Sequence, residues 1–275
     1  MNVRIKIDGL TYSYSYDEND AVHDVSFEVN EGEFVGLIGP NGSGKSTVLK
    51  NIYRALTPDK GAIFLDGENL LKMSHRKTAL KQAVVGQEND VPFNFVVEEI
   101  VAMGRSPHKK LFDIDTAYDK QVIRHALEHM GMADMAKRNY QSLSGGEKQR
   151  VIIARAIAQE SSIFLLDEPT NHLDISYQMQ IFDLIKRLKV TVLSAIHDLN
   201  MASLYCDRIY VLKDGKIVLS GTPEEVFTPE NIFNVYGVRC SVEKHPITGK
   251  ISITFLPEEI IKTHSVVDKP LGGNA

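Results

Sequence analysis

The feature that most constrains this 275-residue chain is the run Gly39-Pro40-Asn41-Gly42-Ser43-Gly44-Lys45-Ser46-Thr47, set between an unbroken apolar stretch and a helix-compatible one. It fits the pattern G-x-x-x-x-G-K-[ST], in which the glycines let the backbone wrap closely and aim successive N–H groups at phosphate oxygens. The dipole of a helix starting near Lys45 favours the same anion. In such a loop Lys45 reaches the β- and γ-phosphates and the Ser46 hydroxyl ligates Mg²⁺, while Gly39, Asn41, Gly42, Ser43, Gly44 and Thr47 complete the cradle. A plain glycine-rich turn is the competing reading. The strand before the loop and the helix after it favour a phosphate cradle, and they require an α/β sheet.

The flanking pattern agrees. Val25-Ser26-Phe27-Glu28-Val29 alternates apolar and polar residues, which predicts a half-buried antiparallel strand. Phe34-Val35-Gly36-Leu37-Ile38 is continuously apolar, as a strand covered on both faces should be. A helix is expected from about Lys45 to Leu56, then a strand over Gly61–Gly67. From about Glu98 to Gln159 the spacing becomes helical, with polar connectors. Strand and helix then alternate through 163–166, 175–188 and 190–196. Asp214-Gly215 predicts a hairpin turn between strands at 207–213 and 216–220. Beyond about Val242 a short appendage ending in a loose tail is expected.

Four further residues complete a nucleotide chemistry. Ile163-Phe164-Leu165-Leu166 delivers Asp167-Glu168 at the end of a buried strand. Asp167 is placed to hold the Mg²⁺ shell, and Glu168 to orient and deprotonate an attacking water. Acids also serve as ordinary helix caps at strand ends, but after a phosphate loop the catalytic reading is preferred. Gln87, following Ala83-Val84-Val85, could reach metal and water, and His197 could contact the γ-phosphate. Taken alone, each of the two reads as a structural residue.

Leu143-Ser144-Gly145-Gly146-Glu147 is a second anion-binding helix start: Ser144 is a good N-cap and the two glycines expose backbone N–H groups. One nucleotide does not need both starts in one chain, whereas two copies sharing nucleotides do. From about Val3 to Tyr236 the chain resembles ABC-type ATPase subunits, with the phosphate loop, the Leu-Ser-Gly-Gly signature, Asp167-Glu168 and His197 in that family's order. The resemblance implies a P-loop NTPase fold: a RecA-like core, an N-terminal antiparallel β subdomain and a helical signature subdomain at about 88–160. That cassette would span 1–240, with the appendage at 241–275. It implies ATP and Mg²⁺, with Ser46, Gln87 and Asp167 toward the metal. It also implies a head-to-tail dimer in which Ser144, Gly145, Gly146 and Glu147 of one copy close on the nucleotide of the other, and Asp174 crosses the interface. Catalytic roles for Lys45, Gln87, Glu168 and His197 follow. An aromatic residue stacks on adenine; Tyr14 aligns best, with Tyr12 and Tyr16 as neighbours. Val84-Val85-Gly86 departs from the Leu-Pro often seen before Gln87, without touching that residue's role.

Met103-Gly104-Arg105-Ser106-Pro107-His108, with Leu111-Phe112, is similar to the iron-siderophore, haem and cobalamin importer group, and so is Asp167–Ile175. There, the region between Gln87 and about Leu111 receives a coupling helix from an integral membrane permease, itself served by an extracytoplasmic substrate-binding protein. The net charge of −5 gives no footprint for nucleic acid. No run reaches the ~18 apolar residues of a spanning helix, so membrane work would pass through a partner, at the cytoplasmic face. Cys206 and Cys240 are too few for a disulfide framework. The competing readings are a translation- or repair-type ABC ATPase, an exporter subunit, and a module that binds nucleotide without turnover.

Overall fold

The computed structural model describes residues 2–14, 20–86, 94–110, 113–171 and 173–257. The chain starts with β1 (Val3–Tyr12), β2 (Val22–Asn30), β3 (Phe34–Ile38), α1 (Lys45–Ile52), β4 (Lys60–Leu65) and β5 (Glu68–Asn69). It continues through α2 (His75–Lys81), β6 (Gln82–Val85), α3 (Val97–Ala102), a 3-10 segment at Met103–His108, α4 (Ala117–His129) and α5 (Gly145–Ala158). Then come β7 (Ile163–Asp167), α6 (Ile175–Arg187), β8 (Thr191–Ala195), α7 (Leu199–Tyr205), β9 (Arg208–Lys213) and β10 (Lys216–Gly221). The last elements are α8 (Pro223–Val226), α9 (Pro229–Tyr236), β11 (Cys240–Lys244) and β12 (Ile251–Phe255).

Strands β2-β1-β4-β5 form an antiparallel sheet, and β10-β9-β3-β8-β7-β6 a second sheet that is parallel except for edge strand β10. The continuous apolar strands are covered on both faces, and their alternation sorts them into two cores. Val35, Leu37, Ile163, Leu165 and Leu193 pack with the antiparallel sheet and α1. Phe34, Ile38, Phe164, Leu166 and Val192 pack against the helices on the other side. Burying an aliphatic or aromatic side chain contributes about 1.5–3 kcal/mol, so this two-sided coverage holds β3, β7 and β8 rigidly side by side. The helices α3 to α5 leave the sheet after β6 and return at β7, which is hydrogen-bonded beside it.

Helix α1 stops at Ile52, a turn before the expected Leu56. The chain leaves the helix through a left-handed residue at Arg54, and the Ala55 and Leu56 N–H groups bond back to the Lys50 carbonyl, which closes the helix end. Arg54 takes φ 64, and its guanidinium donates to the Met73 carbonyl at 2.8 Å. The Asp214-Gly215 turn has the expected positive φ values of 48 and 73. Past Val242 the chain does not loosen at once: β11 and β12 pair from Cys240 to Phe255 and dock on α7. The Asn200 side chain bonds both backbone groups of Ile253, and Ser203 Oγ donates to the Ile251 carbonyl at 2.7 Å. Residues 258–275, where the loose tail is expected, lie outside the described residues. Cys206 and Cys240 are buried free thiols. No helix among the described residues is long and apolar enough to cross a membrane.

Candidate functional site

Because β3, β8 and β7 are parallel neighbours, their C-terminal ends open on one edge of the sheet. The loop after β3, Asp167 at the end of β7 and His197 just beyond β8 therefore converge there. A cavity of about 510 Å³ lies at this edge, lined among others by Tyr14, Asn41, Lys45, Ser46, Glu168 and His197.

The loop cannot be built from bulkier residues. At Gly39 (φ 151) a Cβ would stand 1.9 Å from the Leu212 carbonyl oxygen. At Gly44 (φ 102) it would meet Val22 Cγ1 at 2.6 Å and the Ala21 carbonyl at 2.7 Å. Gly44 is also the N-cap of α1 and offers no side-chain bond to the first-turn N–H groups, so those donors face outward for an anion. Lys45 is buried, and its Nζ donates to the Gly39 and Pro40 carbonyls at 2.9 and 3.0 Å. Burial lowers its pKa, against the opposing pull of Glu168 and Asp167.

Ser46 Oγ donates to Asp167 Oδ1 at 2.8 Å. Burial raises the Asp167 pKa, with the Glu168 charge adding to the shift and the Ser46 bond countering it. The pair is two hard oxygen donors side by side beneath a phosphate cradle, a donor set that suits Mg²⁺. Glu168 takes φ 52, a rare backbone conformation for a non-glycine residue that turns its carboxylate back toward the loop. His197 Nε2 contacts Glu168 Oε1, and Asn171 Nδ2 donates to Glu168 Oε2 at 3.2 Å. Asn171 escaped the sequence reading; its spacing of three residues from Glu168, on the turn leaving the strand, was the available signal. Tyr14 Oη lies 3.3 Å from Thr47 Oγ1, and its ring meets that of Tyr12 edge-on. Tyr16 and Gln87 lie outside the described residues.

The signature segment is placed elsewhere. Ser144 caps α5 in a capping box: its Oγ accepts from the Glu147 N–H, and Glu147 Oε2 accepts from the Ser144 N–H. Hydrogen bonding of its carboxylate to the Ser144 N–H and then to the Ser144 hydroxyl lowers the Glu147 pKa. Ser144 and Gly145 are exposed, whereas Gly146 is packed beneath the Tyr177 ring. Asp174 caps α6 by accepting from the Tyr177 N–H at 3.1 Å. None of Ser144, Gly145, Gly146, Glu147 or Asp174 lines the cavity at the sheet edge.

A separate groove of about 420 Å³ runs between α2 and the Met103–His108 segment. Arg54, His75 and Arg155 line it, with no Asp or Glu among its lining residues. The Arg155 guanidinium has no hydrogen-bond or ion-pair partner among the described residues, and burial lowers its pKa. A larger cleft of about 670 Å³ between α3 and α4 has a rim of mixed acids and bases and holds none of the groups above.

Residues 22–171 match the sequence profile of the ABC transporter family. The ferric enterobactin transport ATP-binding protein of Escherichia coli K12 is 36% identical over 248 residues, covering 89% of this chain and 92% of that protein. The cobalamin import ATP-binding protein of Halobacterium salinarum is 39% identical over 239 residues, 86% of this chain; the matched part spans 60% of that relative's length. Among solved structures, an inward-facing metal-chelate type ABC transporter superposes with a TM-score of 0.81 at 27% identity, covering 94% of this chain and all of that one (100%). A dimeric, post-hydrolysis ATP-binding cassette bound to ADP and Pi superposes at 0.69 with 29% identity, covering 80% of this chain and 98% of that one. The fold, the phosphate loop at the edge of its parallel sheet and these relatives lead to one conclusion: the chain belongs to the ABC transporter family of ATP-binding proteins.

Proposed function

We propose that this chain is the ATP-hydrolysing subunit of an importer, working as a head-to-tail pair on the cytoplasmic face of a membrane and driving an integral permease. One observation carries the reading. Lys45, Ser46, Glu168 and His197 share one cavity, while the Ser144-Gly145-Gly146 helix start of the same chain does not reach it. A triphosphate held by the first set leaves its γ-phosphate open to a donor set from a second copy. The solved dimer of a related cassette bound to ADP and Pi supports that pairing.

In this proposal Lys45 leaves the Gly39 and Pro40 carbonyls for the β- and γ-phosphates, and the uncapped α1 amides take the remaining oxygens. Tyr14 stacks on adenine. Glu168, oriented by His197 and Asn171, accepts the proton of a water whose oxygen attacks the γ-phosphorus as the bond to the ADP oxygen breaks. Ser46 and Asp167, with Gln87, would hold Mg²⁺, which supplies charge neutralisation at the phosphates. Asp174 sits at the start of α6, beside the dimer seam. ATP closes the pair because it bonds both copies only in the closed state, and its hydrolysis removes that difference.

The permease segment is assigned to the acid-free groove beside Met103–His108, where Arg155 offers an unpaired cation. Ferric siderophore is the first candidate cargo, as the name of the E. coli relative suggests; haem and cobalamin are the others. An extracytoplasmic binding protein would deliver it through the permease. The test mixes wild-type and Ser144→Arg copies and measures ATPase activity. Trans sites predict activity below the sum of the separate proteins, and additive activity would exclude them. Stimulation of the permease complex by candidate loaded binding proteins then identifies the cargo.

A further inference from the structure

The two ends of α5 are held very differently. At its start, a Cβ on Gly145 would meet nothing closer than 3.8 Å, and the packing there is one side-chain ring, Tyr177 over Gly146. At its end, the Met103–His108 segment grips the helix at three points. Gly104 lies so close that a Cβ there would stand 2.2 Å from the Arg155 carbonyl oxygen. Arg105, 2% exposed, donates from Nη1 to the Ala158 carbonyl at 2.7 Å and to Glu160 Oε2 at 2.6 Å, and from Nε to Asp119 Oδ1 at 2.9 Å. His108 Nε2 lies 2.8 Å from the Gln159 carbonyl.

The Ala158 and Gln159 carbonyls belong to the terminal set that a helix leaves without partners of its own. Here both are taken by one six-residue segment, and the Arg105 cation sits at the negative end of the helix dipole. The same segment is tied to α2, because Arg76 Nε donates to the Pro107 carbonyl at 2.8 Å. It is tied to α4 as well, since Asp119, the partner of Arg105 Nε, lies in the first turn of that helix. A buried ion pair is weak evidence for stability, because apolar replacements are often as stable. What a planar, forked guanidinium supplies is fixed geometry between elements.

We infer that Gly104, Arg105 and His108 form a clamp that joins the Met103–His108 segment and α5 into one lever. Arg105 is then a positioning residue for the Ser144-Gly145-Gly146 helix start. That start lies one helix length away, about 21 Å for the 14 residues of α5. A push on the groove beside Met103–His108 reaches the signature because nothing at that end of α5 can slip. The inference rests on the proposed role of Ser144-Gly145-Gly146 at a second copy's ATP.

The experiment uses the full chain. It compares wild type, Arg105→Lys and His108→Phe by binding of a fluorescent ATP analogue, by ATP turnover, and by amide exchange at residues 145–148 in the ATP-bound dimer. A lysine keeps the charge but offers its donors from one nitrogen, without the planar fork that fixes Asp119, Ala158 and Glu160 relative to one another. Misplacing a catalytic group by about 1 Å costs on the order of 100-fold. The Arg105→Lys change should therefore leave analogue affinity within about twofold while turnover falls at least about tenfold and exchange at 145–148 quickens. The surface change His108→Phe, which threatens the fold least, should move the same two readouts about threefold in the same direction. Unchanged exchange at 145–148 in both variants overturns the lever, as does a turnover loss that only follows lost analogue affinity. Full turnover in a Ser144→Arg control removes the shared-site reading itself, and the lever with it; a dead control beside normal Arg105→Lys and His108→Phe sinks the lever alone.

Discussion

Helices α1 and α5 both begin at glycine-bearing anion motifs, yet the two starts are built in opposite ways. The α1 start has a glycine cap with no side-chain bond, no acid in its first turn, and a buried lysine beneath its loop. The α5 start is closed by a reciprocal Ser144–Glu147 box and stands exposed. The first keeps its amide donors and a cation for an external anion, so it can hold a triphosphate alone. The second has already used one of its first-turn amides on Ser144 and carries a carboxylate of its own, so taken alone it is the weaker anion site. The contrast is what the proposed division of labour between the two starts rests on.

Substitutions can break or sharpen this contrast. The largest effect is expected at the α1 side: Lys45→Ala should lower ATP turnover by roughly 1000-fold or more, since a charge aimed at the transferring phosphate is lost. Near-normal turnover in a coupled ATPase assay would refute the cradle. Next, Glu168→Gln should slow hydrolysis by on the order of 100- to 1000-fold while sparing ATP binding. It should leave a dimer that runs as a larger species on size exclusion in ATP, and wild-type turnover would show that another group takes the proton. The glycines then separate the two starts. Gly44→Ala combines a positive φ with contacts below 3 Å and should cost about 2 kcal/mol or more of stability together with nucleotide binding. Gly145→Ala has room and should melt like wild type and bind a nucleotide analogue normally, losing turnover only through the dimer. Equal melting losses in the two variants would erase the distinction.

The smallest effects concern stability and pH. Ser144→Ala should cost about 1 kcal/mol by chemical denaturation, the ordinary worth of a helix cap. Bonds from Thr116, followed by Arg105, hold the Asp119 carboxyl well below the usual carboxylate range. A depressed folded-state pKa gives stability that is present above the unfolded value and is lost as pH falls through the folded one. Asp119→Asn should therefore lower stability at neutral pH and flatten the acid limb of the stability profile. An unchanged acid limb would mean that this carboxylate is not what acid attacks.

Much of the architecture could be read from the residues, and for physical reasons. The unbroken apolar runs at Phe34–Ile38 and Ile163–Leu166 require cover on both faces, and both became central strands between two cores. The Asp214-Gly215 turn declared its own backbone angles. The end of α1 is not legible locally, because an arginine, not a glycine, takes the left-handed position that closes it, held by a bond to the distant Met73 carbonyl. The docked hairpin at Cys240–Phe255 was missed because side chains of α7, distant in sequence, hold it. The role of Asn171 was hidden for a similar reason: its partner Glu168 is aimed by an unusual backbone angle that no local pattern announces.

By itself, the order of residues determined which chemical groups this protein possesses: a lysine in a glycine loop, a serine before two glycines, and an acid pair at the end of an apolar strand. Those are local matters of backbone freedom, donor geometry and periodicity. Only the tertiary structure decided which groups meet. Parallel pairing of β3, β8 and β7 draws Lys45, Asp167 and His197 to one edge from three distant parts of the chain. The rigid run of α5, clamped at its far end, keeps Ser144 away from that edge. Contact between distant residues depends on how sheets and helices pack, and short-range pattern carries no record of it.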